Sequence, residues 1–197
     1  INSLILPNNS TNPIELQSNS FRNCYNLKTL KGNFLLQGSC VFEGCSNLEF
    51  DTLLNSKELI ISFDNVSNLE NTFKGCKKLG VNNNWPAKFI HKLNKNVSSI
   101  KEMFCDTTSN FSISPGLFAY EENGVLKDLN ITDISGVFKN TNINGIFRSS
   151  KISDGIKQGL FDYLPDLMLA ESAFEGTCEI ERIIDNNFFN FNNVSKL

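Results

Sequence analysis

The pattern Phe-x-x-Cys or Phe-x-x-Thr recurs six times along the chain, and no other feature restricts the fold as tightly. The copies are Phe21-Arg-Asn-Cys24, Phe42-Glu-Gly-Cys45, Phe73-Lys-Gly-Cys76, Phe104-Cys-Asp-Thr107, Phe138-Lys-Asn-Thr141 and Phe174-Glu-Gly-Thr177, at intervals of 21, 31, 31, 34 and 36 residues. Periods in this range mark supersecondary units that bury their apolar faces against their neighbours. The aromatic composition agrees: 17 Phe stand against 3 Tyr and 1 Trp, as expected if one structural position is reused.

Each position in the motif has a physical reading. Two residues after each Phe stand Asn23, Gly44, Gly75, Asp106, Asn140 or Gly176, the residue types that tolerate positive φ. Upstream, Val66, Leu69 and Phe73 recur as Val97, Ile100 and Phe104 and as Ile131, Ile134 and Phe138. Offsets of three and four make one apolar helical face, and Leu167, Ala170 and Phe174 follow more loosely. The combination predicts a short helix ending near each Phe and capped by a left-handed residue. The small Cys or Thr one place later suits units that pack closely. The next apolar residue, Leu27, Leu48, Leu79 or Ile180, begins a new element, with the register drifting to Phe111 and Ile143 in the fourth and fifth units.

A second element recurs between the anchors, as Trp85-Pro-Ala-Lys-Phe89, Ser114-Pro-Gly-Leu-Phe118, Lys157-Gln-Gly-Leu-Phe161 and Asn186-Asn-Phe-Phe189. Pro86 and Pro115 suit the first position of a helical turn. Strands are expected at Leu48 to Leu53, Leu59 to Phe63, Phe111 to Ser114, Leu126 to Ile131 and Ile180 to Ile184. The fold class expected is α/β, an irregular leucine-rich-repeat-like solenoid of short strands and short helices with the Phe residues as its spine. Residues 1–20 read as a lead-in or incomplete repeat, and residues 21–197 as a single repeat domain. Val194 and Leu197 repeat the helical spacing at the end of the chain, so a longer parent with a large apolar residue four positions further on is expected.

The units Leu69-Glu-Asn-Thr-Phe-Lys-Gly-Cys-Lys-Lys-Leu79 and Ile100-Lys-Glu-Met-Phe-Cys-Asp-Thr107 resemble the leucine-rich repeats of the BspA-like class. In that class a Phe-x-x-Cys-x-x-Leu signature follows an apolar residue. The resemblance runs from Phe21 to Leu197 and differs in the longer, unequal units and in Thr for Cys in the second half. It implies a surface-exposed protein of bacterial or protist type that binds host or neighbouring cell surfaces, or a component of a bacteriophage particle, where similar arrays occur. The class has no shared catalytic residues.

Several function classes find little support. A formal charge of −3, from 18 Lys and Arg against 21 Asp and Glu, provides no excess of cations for phosphates, so nucleic acid is not an expected partner. No apolar run approaches the ~20 residues that span a bilayer, and the first residues lack a secretory signal pattern. The six cysteines, at 24, 40, 45, 76, 105 and 178, contain no CxxC pair, and His91 is the lone histidine. Zinc therefore lacks partners. Cys24, Cys45 and Cys76 share their place with Thr in later units, which reads as small buried thiols and not as a bridge or ligand set.

His91 reads as a surface histidine, the alternative being a general base beside a thiol. The acidic residues Glu121, Glu122, Asp128, Asp133, Asp154 and Asp162 show no catalytic or calcium-loop pairing, and no phosphate-binding glycine loop is present. Catalytic residues, metal and cofactor are accordingly all expected to be absent. Among 29 Asn, seven begin Asn-x-Ser/Thr sequons, at 8, 9, 65, 96, 110, 130 and 193.

The expectation is a non-enzymatic recognition or adhesion module at an extracellular surface, a cell envelope or a virion. Its partner would be a protein or glycan on another surface. The alternative is a structural element of a virion that packs against neighbouring subunits.

Overall fold

A computed structural model describes residues 1–5, 12–49, 59–79, 93–107, 111–113, 118–146 and 161–177. Among them the strands are β1 (Ser3–Ile5), β2 (Ile14–Leu16), β3 (Thr29–Leu36), β4 (Leu59–Ser62), β5 (Phe111–Ile113), β6 (Tyr120–Glu122), β7 (Val125–Lys127) and β8 (Ile143–Ile146). No helix forms among the described residues. The expected α/β solenoid of short strands and short helices is therefore overturned. Instead of one continuous parallel wall there is a four-stranded sheet, a β5–β8 pair and a β6–β7 pair, supplemented by single parallel bridges such as Asn68 to Ser99, Ser99 to Asp133 and Asp133 to Leu169.

The hydrogen bonds explain why the helices are absent. In a helix every interior N–H is satisfied four residues back. Here alternate N–H groups leave their own unit. Phe21, Phe42, Phe73, Phe104 and Phe138 each donate to the carbonyl just before the Phe of the next unit, at Val41, Thr72, Met103, Val137 and Ala173. The residues two before and two after each of these Phe do likewise, as in Asn71 to Lys101 and Gly75 to Cys105, or Gly136 to Glu171 and Asn140 to Glu175.

The intervening N–H groups close turns inside the unit. In all six units the residue after Phe donates to the carbonyl two before it, and the Cys or Thr at the third place donates to the carbonyl of Phe itself. Chained turns of this kind place buried side chains three and four apart, as a helix would. Val66, Leu69 and Phe73 are 1%, 0% and 0% exposed, although no helix carries them.

The four-stranded sheet centres on β3, which the sequence reading did not anticipate. Its neighbours β1, β2 and β4 each pair with it in parallel. The segment read as a lead-in thus contributes β1 and β2 to this sheet. The strand expected at Leu59 to Phe63 is β4, and the one at Phe111 to Ser114 is β5, parallel to β8 with a register shift after Phe111. The strand expected at Leu126 to Ile131 is β7, displaced toward the N-terminus and antiparallel to β6. Asn123 and Gly124, with φ of 53° and 78°, supply the two left-handed residues that a tight hairpin requires.

The core runs through all these pieces. Phe34, Phe42, Phe63, Phe73, Phe104, Phe118 and Phe138 are fully buried within it. The expected strand at Ile180 to Ile184 and the elements around Trp85 to Phe89 and Asn186 to Phe189 lie outside the described residues. So do most of the expected strand at Leu48 to Leu53 and the terminal Val194 and Leu197.

Candidate functional site

The six motif Phe residues form one ladder. Ring centroids of Phe21 and Phe42, Phe42 and Phe73, Phe73 and Phe104, and Phe104 and Phe138 are 5.7, 5.7, 5.9 and 5.8 Å apart, with planes within 11° of parallel. Phe174 joins at 5.7 Å with a 31° tilt. The centroid spacing is that of favourable aromatic pairs. Phe118 and Phe161, from the second recurring element, stack at 6.2 Å and flank the ladder against Phe138 and Phe174.

The Cys/Thr column does more than pack. Cys45 Sγ donates to the carbonyl oxygen of Phe21 and Cys76 Sγ to that of Phe42, at 3.0 and 3.1 Å. Thr141 Oγ1 and Thr177 Oγ1 make the equivalent bonds to Phe104 and Phe138 at 2.7 and 2.8 Å. Thr107 turns to its own unit's Phe104 carbonyl and touches Thr141. Thiol and hydroxyl are thus interchangeable small donors, a role the reading as small hydrophobes left out. Cys24, Cys40, Cys45, Cys76 and Cys105 are free thiols. Burial pushes the Cys45 thiol up to about 12 and raises Cys76 well above the ordinary 9.0. Burial, reinforced by neighbouring Asp106, does the same to Cys105, also to about 12. Such thiols stay protonated and are poor nucleophiles.

Asn23, Gly44, Gly75, Asp106, Asn140 and Gly176 all carry positive φ, from 54° to 74°. They do not cap helices; each is the third residue of a four-residue turn that opens at Phe, the place where a left-handed residue reverses the chain. A second left-handed column escaped sequence reasoning. It lies two residues before each Phe, at Asn19, Cys40, Asn71, Glu102, Gly136 and Ser172. Cys, Glu and Ser give no signal for that conformation; interunit hydrogen bonds from their N–H groups hold Cys40 to Glu70 and Glu102 to Ser135.

Outside the ladder, the fold leaves polar groups facing solvent. Asn65, Asn96 and Asn130 fall eight residues before successive ladder Phe and are exposed, as are Ser67, Ser98 and Thr132 two places on. These three sequons therefore share one register. Sequons at 8, 9, 110 and 193 lie outside the described residues, as do His91, Cys178 and Asp154.

Where the β6–β7 hairpin stands beside the turn after β4, an open cleft of about 490 Å³ forms. Asp64, Lys95, Tyr120, Glu121 and Glu122 line it, with Asn94 fixed at its wall by hydrogen bonds that its side-chain Nδ2 donates to the Phe63 and Val66 carbonyls. A parallel bridge between Leu93 and Tyr120 joins the two sides. The volume is in the range of small-ligand pockets, and its lining mixes both charge signs with an aromatic ring. The spacing-based reading missed it because its residues come from three separated segments. Among the described residues no group of three potential metal ligands converges, and no helix is long and apolar enough to cross a membrane. No family model, curated protein or solved structure matches the chain.

Proposed function

We propose that the chain is a non-enzymatic recognition module displayed at an extracellular surface, on a cell envelope or a virion. It binds a protein or glycan on another surface. The cleft beside the β6–β7 hairpin carries this reading: it gathers carboxylates, an amine and a tyrosine ring at the protein's surface, groups that hydrogen-bond hydroxyls and peptide amides. The buried, protonated thiols fit the same reading, as does the resemblance of the units to the BspA-like class. The test is binding to immobilised cell-surface glycans and to intact cells, comparing the wild-type chain with Lys95→Glu and Glu121→Lys. The expected result is at least a tenfold loss for each exposed-residue variant with unchanged stability. Binding that is indifferent to both removes the cleft from the account.

A further inference from the structure

Three Asn-x-Ser/Thr sequons lie wholly among the described residues, Asn65-Val-Ser67, Asn96-Val-Ser98 and Asn130-Ile-Thr132, and all three occupy one place on consecutive units. Parallel bridges from Asn68 to Ser99 and from Ser99 to Asp133, with the Ser98 N–H donating to the Ser67 carbonyl at 2.9 Å, set the units side by side there. In each sequon the middle residue is an apolar anchor, Val66, Val97 or Ile131, at 1%, 0% and 0% exposed. The residues on either side of the anchor are exposed in all three. The repeated Asn has no structural task. Asn47 and Asn94 donate from Nδ2 to backbone carbonyls, Asn68 accepts from the Glu70 N–H, and Asn140 donates to Asp106. The side-chain amides of Asn65, Asn96 and Asn130 make no hydrogen bond among the described residues. The next unit carries Asp166-Leu-Met168 in the same place, so the fold does not demand the motif there.

We propose that Asn65, Asn96 and Asn130 form a column of N-glycosylation sites. The sequon is the acceptor signal for an N-linked sugar at the surface of an exported chain, and each of these three presents a free amide together with the hydroxyl two residues on. The donor is a lipid-diphosphate-linked oligosaccharide. Asn Nδ2 forms the new bond to C1 of the first sugar, and the bond from C1 to the diphosphate oxygen breaks. The electron pair leaves with the lipid diphosphate, one amide proton passes to solvent, and nothing is oxidised or reduced. A sugar there is bulky and solubilising, so this flank is kept clear of subunit packing. The inference rests on the extracellular reading, because that donor is met on the export route.

Peptide mass spectrometry of the chain from its source, separated into exported and cytosolic fractions, tests the proposal. Sugar-bearing peptides at Asn65, Asn96 and Asn130 are expected in the exported fraction. An exported chain in which these three Asn are bare overturns the inference and leaves the extracellular reading standing, whereas a bare chain confined to the cytosol overturns both. Sugar found only at sequons outside this column overturns the inference as well. A second arm passes the chain through a eukaryotic secretory pathway with Ser67→Ala, Ser98→Ala or Thr132→Ala, all at exposed positions. Each variant is expected to lose one step of the gel-mobility shift that peptide N-glycosidase removes from the wild type. A mobility unchanged by all three substitutions overturns the proposal.

Discussion

Cys76 Sγ lies 3.1 Å from the carbonyl oxygen of Phe42, one unit back, and donates to it from a fully buried site. The same bond is made by the Thr141 and Thr177 hydroxyls, so Cys76→Thr retains both donor and volume and is expected to change stability by less than about 1 kcal/mol. Cys76→Ala removes the donor and leaves a small void, at a cost of roughly 1 to 3 kcal/mol. Guanidinium midpoints for the two variants check this. Equal destabilisation would show that the thiol acts by packing alone.

Phe73 is stacked on both faces, by Phe42 and Phe104. Truncation to Ala opens a cavity in the middle of the ladder and is expected to cost about 3 to 5 kcal/mol. Phe21, stacked on one face, should lose less on the same change. Paired denaturation curves give the ordering directly.

Thr72 is buried beside Phe73, and among the described residues its Oγ1 is the buried side-chain polar atom that lacks a hydrogen-bond partner. Val41 and Val137 hold the corresponding place in other units. Thr72→Val therefore removes an unsatisfied hydroxyl without changing shape, and an increase in stability of about 1 kcal/mol is expected. A fall in the denaturation midpoint would mean that the hydroxyl is satisfied in solution.

The thiols make stability depend on alkaline pH. Burial holds Cys45 and Cys105 near 12 in the folded chain against an ordinary 9.0. Above the ordinary value the unfolded state releases protons that the folded state keeps, so stability is full below pH 9 and declines as pH rises through about 12. At pH 8 in native conditions the half-exposed Cys24 should be alkylated well before the buried Cys45, Cys76 and Cys105. Peptide mapping after a timed alkylation reads the order.

What the sequence made legible is tied to residue chemistry. The Phe positions are marked by a large aromatic that has to be buried, and Asn, Gly and Asp mark the turn residue two places on. The path between them was not legible. Val97, Ile100 and Phe104 sit at offsets that a helix and a chain of three-residue-spaced turns produce alike, and only the destination of the N–H groups separates the two. Glu102 and Ser172 adopt positive φ against their own preference, so the second left-handed column was invisible in their identities. β3 was missed because Thr29 to Leu36 contains Lys31, Gly32 and Asn33, which break the apolar alternation of a typical strand. The cleft depends on Asp64, Lys95 and Glu121, residues without a common motif, brought together only by the stacking of units.

The central claim is that the Phe N–H groups bond across units and not along a helix. The measurement that tests it most directly is through-hydrogen-bond scalar coupling in the isotopically labelled chain. The Phe73 amide nitrogen is expected to couple to the Met103 carbonyl, its partner at 3.0 Å, and Phe104 to that of Val137. Coupling of Phe73 to the Leu69 carbonyl, four residues back, would show a helix in place of the ladder and contradict the account.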